Sequence, residues 1–200
     1  MTALDRYPRS PNLHGRAGRL MAMLGEWEAV NQHVSEALAV DPQHYESLML
    51  LGESRIAEGN LEGALEPYRT AARVYPEFAM PPVNVVSLLI DLNRLDEARR
   101  VLKPALARHP RFPLLRFMSA RLDAASKRWA QARMTLQALP APFKRDVPSA
   151  ILLEGDVEAA LGNQANAQSL YASIANRRQL ADQVARRLNQ APSEPPEPQD

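Results

Sequence analysis

Four histidines, several carboxylates and one glycine-rich stretch are the residues of this sequence that could carry out chemistry. The histidines lack the spacing of metal ligands, and no His-Glu-x-x-His element is present. They are His14, His33, His44 and His109. We expect these side chains to be solvated or to lie at helix ends, and we expect no metal site.

The other two candidates fit structural roles better than catalytic ones. Residues 15–19, Gly-Arg-Ala-Gly-Arg, lack the Gly-Lys-Ser/Thr ending of a phosphate loop. The carboxylates that could pair are expected on solvated helix faces, with Glu154 as a mild exception; they are Asp91, Asp96, Glu97, Glu154, Asp156 and Glu158. The absence of cysteine also excludes a thiolate nucleophile. The sequence therefore predicts a protein that is not an enzyme and needs no cofactor.

Composition indicates a folded and nearly neutral chain. Its 200 residues suffice for one or two domains, 46% of them are apolar, and 24 Lys and Arg balance 23 Asp and Glu. No apolar run is long enough to span a membrane. The first residues include an acid and a proline, unlike a signal peptide, so we expect a cytoplasmic chain. A native upstream segment would change this expectation to a periplasmic or membrane-tethered protein.

Several residue types recur every 34 positions. The prolines of this series are Pro8, Pro42, Pro76 and Pro110. The small residues are Val30, Ala64, Ala98 and Ala132, and the turn residues are Gly25, Gly59, Asn93 and Lys127. Proline ends a helix, Gly or Asn suits the left-handed turn after a helix, and Ala lets two helices approach closely. Each unit is therefore predicted to be a helical hairpin that stacks on its neighbours.

This pattern resembles the tetratricopeptide repeat family. The match is closest in residues 45–78, through Leu51, Gly52, Gly59, Ala64, Tyr68, Ala71 and Pro76. The resemblance implies an all-α, right-handed solenoid of helical hairpins, with about five repeats and a C-terminal capping helix. We assign residues 11–176 to this solenoid, divided into units 11–44, 45–78, 79–112, 113–147 and 148–176.

The two ends and three proline features depart from the regular repeat. Residues 1–10 are interpreted as the remnant of a truncated upstream repeat, 177–190 as an amphipathic capping helix, and 191–200 as a disordered, proline-rich acidic tail. Residues 140–148 are either a binding loop around Phe143 or a connection whose Phe packs on the helices. Pro67 and Pro104 fall inside predicted second helices, where we expect each to distort the helix.

In this family the first helix of each repeat lines a concave groove. The resemblance implies a peptide-binding groove formed by Met49, Glu53, Ile56, Met80, Val83, Ser87, Ile90, Leu114, Phe117 and Arg121. Such an apolar strip with few charges suits an amphipathic helix or an extended peptide. The alternative is that some of these side chains are buried against the next unit. Replacing two apolar groove side chains with carboxylates, by Met49→Glu and Phe117→Glu, is expected to abolish partner binding and to preserve helicity.

We therefore predict a non-catalytic scaffold that binds a protein or peptide partner, within a larger assembly such as bacterial envelope or secretion machinery. The alternatives are a substrate-recruiting region of a larger enzyme and a self-assembling homo-oligomer. Residues 45–78 carry a net charge of −3 and residues 79–139 a net charge of +7, which favours steering of an acidic partner. Because exposed aromatic residues do not interleave with the cations, we expect no nucleic acid binding, and no membrane insertion.

Overall fold

The computed structural model of the chain describes residues 6, 7, 9–176 and 180–188. They belong to two compact units, which divide between Pro110 and Arg111. Every regular element in the described residues is a helix, so the predicted all-α fold class is confirmed. None of these helices is long and apolar enough to cross a bilayer. The interpretation of residues 1–10 falls largely outside the described residues, and that of residues 191–200 falls wholly outside them.

Unit 1 consists of three consecutive helical hairpins. Its helices are α1 (Pro11–Leu24), α2 (Trp27–Val40), α3 (Tyr45–Ala57), α4 (Leu61–Val74), α5 (Met80–Asp91) and α6 (Leu95–Arg108). Helices α1 and α2, α3 and α4, and α5 and α6 pair within the hairpins. Successive hairpins pack through α2 against α3 and through α4 against α5, so the unit grows along the chain.

Unit 2 contains two hairpins and two shorter helices. Its helices are α7 (Pro113–Ala125), α8 (Trp129–Gln137), α9 (Ala141–Asp146), α10 (Pro148–Ala160), α11 (Gln164–Ser173) and α12 (Ala181–Leu188). Helices α7 and α8 form one hairpin and α10 and α11 the other, and α10 packs against α8. The short helix α9 contacts α10, and α12 contacts α11.

The 34-residue series have the structural roles that the sequence predicts. The small residues at the helix contacts, Val30, Ala64, Ala98 and Ala132, are fully buried. The turn residues have positive φ angles, which are 79° at Gly25, 77° at Gly59, and 57° at both Asn93 and Lys127. Small side chains let the paired helices approach, and the left-handed residue reverses the chain between them.

The proline features have different outcomes. Helices α4 and α6 continue past Pro67 and Pro104, and the local distortion at these prolines stays a prediction. The segment between the fourth and fifth repeats contains helix α9 rather than an open loop. The ring of Phe143 in this helix lies 6.0 Å from the ring of Phe117. This contact favours a connection whose Phe packs on the helices.

Candidate functional site

The predicted groove residues of unit 1 lie on α3 and α5, and their charges are already paired. Arg19 on α1 donates from Nε to Glu46 Oε1 and from Nη1 to Glu53 Oε2, each at 2.6 Å. Burial disfavours the charged guanidinium, but the hydrogen bonds to Glu46 and Glu53 outweigh it and raise the pKa of Arg19. Glu53 therefore forms part of an ion-pair network and is not an unpaired carboxylate available to a ligand.

The apolar groove residues of unit 1 divide into exposed and buried side chains. Ile56 is 40% exposed and Met80 is 38% exposed, so both can contact another molecule. Met49 and Val83 are only 6% and 4% exposed, which agrees with the alternative that some of these side chains pack inside the protein. Ser87 and Ile90 are half-buried, so their exposure lies between that of the two exposed and that of the two buried side chains.

In unit 2 two of the predicted groove residues lie in one cleft with residues of the first helix of the next repeat. Phe117 and Arg121 on α7 face Ser149, Leu152 and Asp156 on α10 across a space of about 370 Å³. Phe117 and Leu152 are buried and form the floor, whereas Ser149 is exposed at the edge. Leu114, predicted for the same groove, is half-buried on α7 and does not line this cleft.

One side of this cleft is formed by α12, which the sequence did not place there. Arg187 on α12 binds Asp156 through Nε and through Nη2, the latter at 2.8 Å from Oδ2. The hydroxyl of Tyr171 donates to Asp156 Oδ1 at 2.9 Å. Burial, followed by the charge of Asp156, raises the pKa of Tyr171. The only sequence signal for this contact was the amphipathic pattern of the C-terminal helix.

The expectation that all four histidines are solvated or at helix ends is wrong for His33, which is half-buried in the middle of α2, whereas His14 lies in the first turn of α1. The side chain of His14 is buried, and its Nδ1 lies 3.1 Å from Nδ1 of His33, so one ring nitrogen donates and the other accepts. Burial, followed by the electrostatic interaction with His14, lowers the pKa of His33. Among the described residues, no group of three or more potential metal ligands is present.

The expectation that the carboxylates lie on solvated faces is wrong for Glu158, and Glu154, the mild exception, does not lie on a solvated face either. Both Glu154 and Glu158 are buried. Each has a polar partner that replaces water and offsets the free-energy cost of burying the carboxylate. Lys144 Nζ on α9 donates to Glu154 at 2.8 Å, and the side-chain amide of Asn163 donates to Glu158 at 2.7 Å. These contacts are structural, since neither carboxylate faces a second acid or a nucleophile in the described contacts.

Sequence and structure comparisons identify the family. Two family profiles, each described as a tetratricopeptide repeat, match residues 31–77 and 89–157. No curated protein sequence matches the chain significantly.

Solved structures of tetratricopeptide repeat proteins share the fold at low sequence identity. A thermophilic TPR protein of Thermus thermophilus is 22% identical with a TM-score of 0.73, over 90% of this chain and 99% of that protein. PilW, a widely conserved type IV pilus biogenesis factor, is 17% identical with a TM-score of 0.73, over 92% and 85%. YrrB, a TPR protein with an unusual peptide-binding site, is 16% identical with a TM-score of 0.63, over 92% and 96%. With its hairpins, its buried small residues and two family matches, this chain belongs to the tetratricopeptide repeat family.

Proposed function

We propose that this chain is a non-catalytic scaffold that binds a peptide or an amphipathic helix of a partner protein. The binding surface is the groove face that the first helices of the repeats form within each unit. The cleft at Phe117 and Leu152 carries this proposal, because it combines an apolar floor with the charged side chains of Arg121, Asp156 and Arg187. A concave apolar site with a few convergent polar groups is typical of ligand binding.

The expected affinity follows from the size of the apolar surface. Fully burying one large apolar side chain of a partner contributes about 1.5–3 kcal/mol, and ordering of the partner peptide offsets part of this gain. Two or three such anchors correspond to binding in the micromolar range. The exposed side chains of Ile56 and Met80 supply further apolar contacts in unit 1.

The comparisons support an assembly role. PilW is described as a pilus biogenesis factor and YrrB as a protein with a peptide-binding site, and both have the same fold at low identity. By analogy, this scaffold would act inside a larger assembly, such as bacterial envelope or secretion machinery. Its compartment would then be that of the assembly, whether cytoplasmic, periplasmic or membrane-tethered.

A cross-linking experiment with the full chain tests the proposal. The groove variant combines Ile56→Glu in unit 1 with Ser149→Trp, which fills the cleft of unit 2 from an exposed position. The control variant combines Val40→Glu with Met134→Glu, two exposed apolar positions outside the groove. Both variants should keep the helix content of the native chain. Partners identified by mass spectrometry should be lost from the groove variant and retained by the control.

The outcomes separate the alternatives. Equal capture by both variants would place the binding surface outside the groove and contradict the proposal. Capture of only further copies of the chain would favour a self-assembling homo-oligomer. Capture of an enzyme domain encoded upstream or downstream would favour a substrate-recruiting region of a larger enzyme.

A further inference from the structure

Unit 1 has a cleft of its own, which is lined mainly by the second helices α4 and α6 and by residues of α5 other than those of the predicted groove. It encloses about 270 Å³ between the C-terminal parts of α4 and α6 and the start of α5. Its floor is apolar and includes Ala72, Pro76, Pro82, Val85, Val101 and Pro104. Proline has no backbone N–H, so this floor offers few hydrogen-bond donors and suits an apolar side chain.

The rim of this cleft is cationic and partly without an acidic partner. Arg69 pairs with Glu97 at 3.1 Å, and His109 Nε2–H donates to the backbone carbonyl of Pro76 at 3.1 Å. Arg73 and Arg108 are exposed, and no carboxylate of the described residues lies within ion-pair distance of either. Two guanidinium groups are therefore available to a ligand beside an apolar floor.

The charge around the cleft extends beyond its lining. Residues 69–76 and 99–110 contain six Lys and Arg and no Asp or Glu, and Glu77 is the acid that follows. Cations at the C-terminal ends of helices interact favourably with the helix dipole, which accounts for part of this pattern. The helix dipole explains cations at the helix ends, but it does not explain why an open apolar cleft lies between the two groups of cations. The surrounding potential favours an acidic ligand.

An aromatic side chain stands at the edge of the cleft. Phe78 is 44% exposed, although its ring centroid lies 4.7 Å from that of Tyr45 and 6.0 Å from that of Tyr75. These ring contacts hold Phe78 in place while one face stays open. A fixed, exposed aromatic ring beside a cleft and arginines is a common anchor at protein interfaces.

We propose that this arginine-rimmed cleft binds an acidic peptide that inserts one large apolar side chain beside Phe78. The carboxylates of the peptide pair with Arg73 and Arg108, since guanidinium groups bind carboxylates in a bidentate manner. The cleft is smaller than the roughly 300–1,000 Å³ of small-molecule sites, which limits it to a single anchoring side chain. This site is separate from the groove and does not depend on the groove's function.

Fluorescence anisotropy with the full chain tests this site. The probe is a labelled Glu-Glu-Phe-Glu-Glu peptide, and its reference is Glu-Glu-Ala-Glu-Glu. Arg73→Glu with Arg108→Glu should weaken binding of the Phe peptide by about tenfold or more. The matched control, Arg100→Glu with Lys103→Glu, makes the same charge change on α6 at exposed positions that do not line the cleft. It should weaken binding by less than about threefold.

A third variant separates the apolar contact from the charges. Ala72→Phe fills the cleft and leaves the arginines, so it should remove the preference for the Phe peptide over the Ala peptide. Thermal unfolding followed by circular dichroism verifies that each variant is folded. No binding at millimolar peptide, equal affinity for both peptides, or equal losses in the two charge-reversed variants would overturn the proposal. Binding of poly(dT) that depends on Arg73 and Arg108, without peptide binding, would also overturn it.

The groove variant distinguishes this site from the proposed function. Ile56→Glu with Ser149→Trp changes neither the floor nor the rim of the arginine-rimmed cleft, so it should bind the Phe peptide as the native chain does. Loss of partner capture with retained peptide binding would support two separate sites. A groove variant that also loses the Phe peptide would contradict the separate cleft.

Discussion

The ring of Tyr68 packs directly over Gly52, so that a β-carbon on Gly52 would lie 2.4 Å from Tyr68 Cε1. The two residues face each other across the α3–α4 hairpin, and Tyr68 is almost completely buried. Tyr171 has the same relation to Gly155 in the α10–α11 hairpin, at 2.3 Å. The tyrosine thus fills the space that the missing side chain leaves, and this contact sets how closely the helices approach.

Gly52→Ala should destabilise the chain by about 1–2 kcal/mol. Helix propensity alone favours Ala by roughly 0.5–1 kcal/mol, but overpacking against a buried ring costs about 1–3 kcal/mol or more. Urea unfolding followed by circular dichroism measures the difference. Gly18→Ala is the control, because its nearest neighbour is the flexible end of Leu50 at 3.1 Å.

A double variant tests whether the ring of Tyr68 causes the destabilisation by Gly52→Ala. Gly52→Ala with Tyr68→Leu should cost less than the sum of the two single changes, since the shorter side chain makes room for the β-carbon. Additive costs, or a Gly52→Ala chain as stable as the native one, would contradict the steric explanation.

Lys127→Gly should stabilise unit 2 by about 0.5–1 kcal/mol. Lys127 has a φ angle of 57° in the turn between α7 and α8, and a residue with a β-carbon is strained there by roughly 1–2 kcal/mol. The greater freedom of Gly in the unfolded chain removes part of the gain. Asn93→Gly should stabilise less, because Asn tolerates this conformation. Denaturation midpoints measure both changes, and a lower midpoint for Lys127→Gly would refute the prediction.

The pKa of His33 predicts that stability falls in mild acid. Burial and the nearby His14 lower this pKa below its ordinary value of 6.5, so the folded chain binds fewer protons than the unfolded chain as the pH drops through 6.5. Stability is therefore present above pH 6.5 and decreases below it. Comparison of urea unfolding at pH 7.5 and 5.5 should show a smaller decrease for His33→Gln. If His33→Gln loses as much stability between pH 7.5 and 5.5 as the native chain, other titratable groups cause the loss and the prediction is wrong.

The repeats were predictable from sequence because each slot has a local physical requirement. A left-handed turn favours Gly or Asn, and a close helix contact favours Ala, so the series at Gly59 and Ala64 identified helices and turns. The identity of accessible groove residues was not predictable in this way. Position in the repeat predicts that Met49 faces the groove, but its 6% exposure depends on the size of neighbouring side chains from other helices.

Burial of Met49 and Phe117 also changes a sequence-based prediction. Replacing both with Glu would place two charges in the core, so the resulting loss of binding could follow from unfolding. Buried polar pairs escaped prediction for a related reason. Glu154 and Lys144 are ten residues apart on different helices, and no local pattern links them. Exposed positions such as Ile56 and Ser149 are therefore the better test of the groove.

Val184 determines whether α12 remains packed on the last hairpin. Its side chain is buried in a cluster with Leu152, Ala167, Tyr171 and Ile174. Val184→Asp places an unpaired carboxylate in this cluster and should cost about 2–4 kcal/mol, mainly by detaching α12. Hydrogen exchange of residues 181–188 should become faster, whereas Gln183→Asp, at an exposed neighbouring position, should leave it unchanged.

Detachment of α12 would expose the apolar end of the array. Because solenoids need a polar cap at their ends, the Val184→Asp chain should self-associate, and light scattering should show a molecular mass that rises with concentration. The Gln183→Asp chain should scatter like the native one. A monomeric Val184→Asp chain with fast exchange in α12 would mean that the helix is not a cap against self-association. The ion pair between Arg187 on α12 and Asp156 on α10 would then serve chiefly to shape the cleft of unit 2, which both residues line.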